Sequence, residues 1–105
     1  MELRALLKVN FGIDFPISGG TGNLRDNPII IHRQEPNDHT SVEYGILRCL
    51  GIGRRVEWEL IQQSLIHYNG TMLDQLKIRT KKVTDTEIIT QVENYYFDIS
   101  ECIDF

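Results

Sequence analysis

The chain has 105 residues, of which 41% are hydrophobic and 25% charged, a balance typical of one globular domain spanning 1–105. Its formal net charge of −4 excludes an overall electrostatic attraction to nucleic acid. No run approaches the roughly 20 apolar residues that a membrane-spanning helix needs. We therefore expect a protein that binds neither nucleic acid nor membrane.

The two cysteines, Cys49 and Cys102, are too few for a disulfide scaffold or a four-thiolate zinc site. The first eleven residues interrupt their apolar pattern with charges and lack the small-residue cleavage site of a secretory signal. Both features favour free thiols in a reducing compartment. We predict a cytoplasmic protein without a cofactor.

The first predicted element is a helix over 2–11, because Leu3, Leu6, Leu7 and Phe11 recur at helical spacing before the terminating Gly12. Three isoleucines after Pro28 then predict a short buried strand over 28–32.

A second helix is predicted over 40–50. Thr40 and Glu43 have the spacing of a capping box, in which each side chain accepts a hydrogen bond from the other residue's backbone N–H. Val42, Ile46, Cys49 and Leu50 form its apolar face, and Gly51 stands where a left-handed terminator belongs.

From Arg55 onward the apolar period changes to two, which predicts three strands separated by Asn69-Gly70 and by a turn at 84–86. The third strand is expected over 87–99. The predicted fold is α+β in the order α-β-α-β-β-β, with a C-terminal three-stranded antiparallel meander and two helices packed on one face.

Charge pairing selects the register of the first hairpin. A three-residue loop of Tyr68, Asn69 and Gly70 would place Trp58 opposite Thr80 and Leu60 opposite Ile78. It would also place Glu57 opposite Lys81 and Glu59 opposite Arg79, which are favourable cross-strand pairs. A similar offset at the second turn would align Ile78 with Thr90 and Leu76 with Val92, and would place Lys81 opposite Glu87.

In this register the charged face becomes apolar towards the Asn-Gly end, where it would present Ile61, Leu65, Leu73, Tyr95 and Phe97. Such a face needs a cover, either from the chain itself or from a protein partner, most simply the second copy in a homodimer. A slip of one residue would exchange the two faces. The sequence therefore favours a small, non-catalytic interaction protein acting through this face.

The glycine-rich stretch 18–28 resembles a phosphate-binding loop at first sight, but Asn23-Leu24 replaces the Lys-Ser or Lys-Thr of a Walker loop. We interpret it as a connector. The alternative is a small enzyme or an anion- or ligand-binding domain in which this loop acts with nearby histidines, and its candidate residues are Asn23, Arg25, Asp26, His32 and His39.

A metal site is not expected. His32, Glu35, Asp38 and His39 have ligand-type side chains, but their spacing matches no metal-binding motif.

Overall fold

The computed structural model describes residues 2–34 and 38–103. The fold is α+β, with two helices and a mixed five-stranded sheet in the order β1-β2-β5-β4-β3. In chain order the elements are α1 (Leu3–Phe11), β1 (Ile17–Gly19), β2 (Ile29–Ile31), α2 (His39–Arg54), β3 (Glu57–Tyr68), β4 (Thr71–Val83) and β5 (Ile88–Asp98). Within the described ranges, neither helix has the length and apolar character needed to cross a membrane.

Helix α1 confirms the first predicted element. It ends at Gly12, which adopts a left-handed conformation (φ 72°) and donates its N–H to the Lys8 carbonyl. Leu7 is its buried residue, and Leu3 and Phe11 pack against the core from the same helix.

Helix α2 differs from the prediction at both ends. Asp38, not Thr40, is the N-cap, since its side chain accepts a hydrogen bond from the Ser41 N–H at 2.8 Å. The helix also continues through Gly51 to Arg54. A Cβ at position 51 would lie 2.9 Å from Trp58 Cδ1, so this glycine permits close packing of helix on strand and does not terminate the helix.

Two short strands complete the sheet. The predicted strand after Pro28 is confirmed as β2, which lies parallel to β5 with Ile29 opposite Phe97. Strand β1, which was not predicted, pairs antiparallel with β2 on its other side. The sheet therefore has five strands, of which the predicted meander forms three, and it contains both parallel and antiparallel pairs.

The hydrophobic core lies on one face of the sheet, between the strands and the helices. Leu7 of α1 and Val42, Ile46 and Leu47 of α2 share a single buried cluster with inward side chains from four strands. The strand residues in this cluster are Ile17, Ile29, Ile31, Met72, Leu76, Ile78, Tyr95 and Phe97. We call this side the helix face and the opposite side the second face.

The β3–β4 register is confirmed far from the turn and wrong at the turn itself. Trp58 pairs with Thr80, and Glu57 pairs with Lys81, as the charges predict. At the turn, however, Tyr68 pairs with Thr71 across a two-residue Asn69-Gly70 loop, with both loop residues at positive φ. A β-bulge between Leu60 and Gln62 absorbs the one-residue difference.

The predicted β4–β5 register is wrong by three residues. Leu76 pairs with Tyr95, not Val92, and Ile78 pairs with Glu93, not Thr90. Strand β4 continues to Val83, and a short turn follows in which the Thr84 N–H donates to the Glu87 carbonyl. Because the shift is odd, it exchanges the two faces of β5.

Candidate functional site

The five residues predicted to form one apolar interaction face do not share a face. The β4–β5 register turns Tyr95 and Phe97 inward, where they are 9% and 0% exposed. Leu65 pairs with Asp74 on the helix face, because the bulge at Ile61 has changed the parity of β3. Of the five, only Leu73 lies on the second face in regular strand pairing.

Leu73 is nevertheless only 1% exposed, because the 18–28 loop crosses the second face above it. The Tyr68 hydroxyl on β3 donates to Asp26 Oδ1 at 2.6 Å, and the Arg25 guanidinium lies 6.0 Å from the centre of the Tyr96 ring on β5. Strand β4 runs between β3 and β5, so the loop spans it. The Tyr96 N–H also donates to the Gly22 carbonyl at 2.7 Å. The connector thus covers one end of the second face.

The structure separates the candidate ligand residues of this loop. Asn23 accepts a hydrogen bond from Thr21, while Arg25 and Asp26 contact tyrosines of the sheet. His39 is the first residue of α2 and lies on the other side of the sheet, near Asp74. They do not converge on one site.

His32, by contrast, lies between two side chains that suit its chemistry. Its Nε2 is 2.7 Å from Ser18 Oγ on β1, and its Nδ1 is 2.7 Å from Glu101 Oε2 after β5. The strand pairing that joins Ile17 to Ile31 brings Ser18 beside His32. His32 could be identified from the sequence but this combination could not, because Glu101 is 69 residues away along the chain.

No group of three or more His, Cys, Asp or Glu side chains suited to a metal ion occurs in the described ranges. Glu35, one of the four ligand-type residues considered above, lies outside those ranges.

An open strand edge is the feature that the sequence analysis missed. Strand β5 pairs with β2 only at Phe97 and Asp98, and Gly22 occupies the edge beside Tyr96. In the described part of the chain, no strand pairs with residues 88–94 on the side away from β4. We call residues 88–92 of this side the open β5 edge.

At alternate residues of the open β5 edge, the backbone N–H and C=O groups point away from the sheet. Because the Tyr96 N–H points away from β4, the N–H and C=O groups of Ile88, Thr90 and Val92 point the same way. Ile88 and Val92 are also 62% and 55% exposed. The segment combines unpaired backbone groups with exposed, β-branched side chains.

The sequence carried a signal for this edge. Residues 88–92 read Ile-Ile-Thr-Gln-Val, an uncharged and mostly β-branched run bounded by Glu87 and Glu93. It has no proline, lysine or bulge, which are the usual means of protecting an edge strand.

The outer edge of β3 is different. Its bulge at Ile61 interrupts regular pairing, and Glu57 and Glu59 place exposed charges near its N-terminal end. Glu59 is also fixed in an ion pair with Arg79, at 2.8 Å. Of these two long strands, β5 is the better template for another strand.

A buried pair of carboxyl groups lies on the helix face. Glu43 and Asp74 are 0% and 3% exposed, and neither Glu43 oxygen has a hydrogen-bond partner among the described residues. Gln63 donates to both Asp74 oxygens, at 3.1 and 2.8 Å. Burial and the neighbouring Asp74 raise the pKa of Glu43 to about 10, so Glu43 is protonated at neutral pH.

Asp74 also lines an open cavity of about 460 Å³ together with His39, Gln63, Leu65, Ile99 and Ile103. Both acids could have been found from the sequence, since Asp74 has the inward parity of Met72 and Leu76 and Glu43 lies next to the apolar stripe of α2.

No protein-family model matches the chain, and neither curated proteins nor solved structures give a significant match.

Proposed function

We propose that this protein is a cytoplasmic protein-interaction module that acts through the open β5 edge, and that its partner there is a second copy of the chain. The observation that carries the proposal is the unpaired, uncharged stretch Ile88–Val92 on a strand whose other side is fully paired. Backbone groups of this kind pair with another strand by β-addition.

A second copy fits the edge when the two β5 strands run antiparallel about a two-fold axis at Thr90. Thr90 then faces its own copy, and Ile88 faces Val92 of the partner. All three residues point their backbone groups outward, so each pair exchanges two hydrogen bonds. The register leaves the edge beside Tyr96, which Gly22 occupies, outside the shared segment.

The side chains support the same pairing. Threonine opposite threonine and isoleucine opposite valine are favourable cross-strand pairs, each contributing about 0.2–1 kcal/mol. No charged residue lies within 88–92. Just outside this segment the register places Glu87 opposite Glu93 of the partner, and Arg54, which donates to both Glu93 oxygens at 2.7 Å, offsets the repulsion between them. A shared edge of this length predicts a weak dimer whose population depends on protein concentration and little on salt.

The two thiols are consistent with the proposed cytoplasmic location. Cys49 and Cys102 are free, and burial raises the pKa of both. A protonated thiol reacts slowly with oxidants.

Light scattering over a concentration series tests the dimer, and charge substitution at the two-fold axis tests its register. Thr90→Lys and Thr90→Glu each place like charges opposite each other, so each variant alone should be monomeric. An equimolar mixture of the two should associate again, since Lys then faces Glu. Val9→Lys, at a 71% exposed position on α1, is the control and should dimerise like the parent.

A parent chain that remains monomeric at every concentration would contradict the proposal. A Thr90→Lys variant that dimerises as well as the parent would exclude this edge as the interface. If the single variants are monomeric but their mixture does not associate, the register centred on Thr90 is wrong.

A further inference from the structure

We propose that Ser18, His32 and Glu101 form a nucleophile–base–acid relay able to hydrolyse small acyl esters. The site lies at the β1–β2 end of the sheet, away from the open β5 edge, and the proposal is independent of the one above.

The two short contacts involve the ring nitrogens that such a relay requires. With the imidazole proton on Nδ1, His32 donates to Glu101 Oε2 and accepts from the Ser18 hydroxyl through Nε2, each at 2.7 Å. A nucleophile hydrogen-bonded to a base, which is in turn oriented by a third group, is the diagnostic arrangement for an activated serine.

Three separate parts of the fold fix this arrangement. Antiparallel pairing with β2 holds Ser18 opposite Ile30, and the His32 N–H donates to the Pro16 carbonyl at 2.8 Å. Glu101 follows Ile99, which is buried in the core and whose N–H donates to the Met72 carbonyl. The relay therefore joins β1, β2 and the segment after β5.

The backbone N–H of Gly19, the residue after the nucleophile, can donate a hydrogen bond to the developing oxyanion. The His32 and Gly20 N–H groups point across the β1–β2 pair, to Pro16 and Pro28 respectively, so the alternation of an antiparallel pair directs the Gly19 N–H to the open side of β1. Among the described strands β1 is the outermost, so none of them pairs with that side of it. The N–H of the residue after the serine is a common oxyanion donor.

In the reaction, Ser18 Oγ attacks the ester carbonyl carbon while His32 Nε2 takes the hydroxyl proton, and the carbonyl electron pair moves to the oxygen near the Gly19 N–H. The tetrahedral intermediate collapses, and His32 returns the proton to the departing alkoxide, which leaves as the alcohol. Water, deprotonated by His32, then attacks the acyl-serine and releases a carboxylic acid with Ser18 restored. Ester and water are the only reactants.

Exposure defines the substrate class. The His32 and Glu101 side chains are 40% and 56% exposed, so the relay lies at the surface. An exposed site makes few contacts with its substrate, so little binding energy is available to position or distort an amide. We therefore expect the substrates to be small esters with good leaving groups. Glu101 is a positioning residue, because it acts through His32.

The experiment uses p-nitrophenyl acetate with the full-length chain and two readouts, p-nitrophenol release and the site of acetylation by mass spectrometry. We expect an acetyl group on Ser18. Ser18→Ala should reduce p-nitrophenol release to the uncatalysed rate, and His32→Gln should lower it about 10²-fold. Ser64→Ala, at another partly exposed strand serine, is the control and should match the parent.

Glu101→Gln separates positioning from folding. It should slow the acetylation of Ser18 at least about tenfold while leaving the melting temperature unchanged, and Glu101→Asp should recover part of the rate. If Ser18→Ala fails to fold, Ser18→Cys keeps a nucleophile at the same place and should be acetylated on sulfur. Equal hydrolysis by the parent and Ser18→Ala, or acetylation only at other residues, would overturn the proposal.

Discussion

Glu43 on α2 and Asp74 on β4 bring two carboxyl groups together in the interior, and only Asp74 has a hydrogen-bond donor, Gln63, among the described residues. Glu43 therefore remains protonated at a pH where an ordinary glutamate is ionised. The raised pKa of Glu43 makes the stability of the fold depend on pH.

Glu43→Gln should remove a loss of stability at high pH. In the unfolded chain Glu43 ionises near its ordinary pKa of 4.5, whereas in the folded protein its pKa is about 10. Folding must therefore bind a proton in this interval, and the free energy of unfolding falls as pH rises, by up to about 1.4 kcal/mol per pH unit from this group. Urea unfolding between pH 5 and 9 measures the slope, which should be shallower in the variant. Equal slopes in parent and variant would show that Glu43 is ionised in the folded state.

Glu93→Gln should have the opposite pH signature. Arg54 donates to both Glu93 oxygens at 2.7 Å, and this contact lowers the pKa of Glu93 below 4.5. The stabilisation from this ion pair is fully present above the ordinary pKa of 4.5, which applies to the unfolded chain. It is lost as pH falls through the lower pKa that Glu93 has in the folded protein. Since Arg54 is 40% exposed, we expect the variant to be less stable at pH 7 by about 1 kcal/mol. The difference should shrink in acid, and a constant difference down to pH 2.5 would contradict this account.

Gly22→Ala should destabilise the loop that covers Leu73. Gly22 has φ 81°, and a Cβ there would lie 2.9 Å from Ile29 Cδ1 and 3.2 Å from the Tyr96 carbonyl oxygen. Strain and crowding should cost about 1–3 kcal/mol, measured by thermal or urea unfolding. Gly53→Ala is the matched control. Its Cβ would meet Phe11 at an ordinary 3.8 Å, and alanine in a helix should add up to about 1 kcal/mol of stability. A Gly22→Ala chain as stable as the parent would show that the loop adjusts freely.

Residue spacing along the chain predicted which helices and long strands form better than it predicted where they begin and end. The spacing of Leu3, Leu7 and Phe11 and the left-handed Gly12 define α1 as the sequence predicts. The end of α2 was not predicted because Gly51 serves close packing against Trp58, a contact that depends on the tertiary fold. Strand β1 has three residues and exists only because β2 is beside it.

Strand register could be predicted correctly only between β3 and β4, where oppositely charged residues face each other. The pairs Glu57–Lys81 and Glu59–Arg79 gave the correct alignment of β3 and β4, even though the assumed turn was wrong and a bulge compensates. The charge pair assumed between β4 and β5, Lys81 opposite Glu87, does not form, because Lys81 pairs with Thr90. The alignment built on it exposed Tyr95 and Phe97, which the structure buries. Of the candidate site residues, His32 was identified from the sequence, whereas its partner Glu101 required the fold.

The position of β5 in the sheet sets the order in which the fold can be completed during synthesis. This strand, the last of the described strands in chain order, lies in the middle of the sheet, with β2 on one side and β4 on the other. Until residue 98 has left the ribosome, β2 and the β3–β4 hairpin have no strand between them, so the edges of β2 and β4 that later pair with β5 remain unpaired. We expect the fold to gain its cooperative stability only when β5 pairs with both β2 and β4, because this joins residues 29 and 97, which are far apart along the chain.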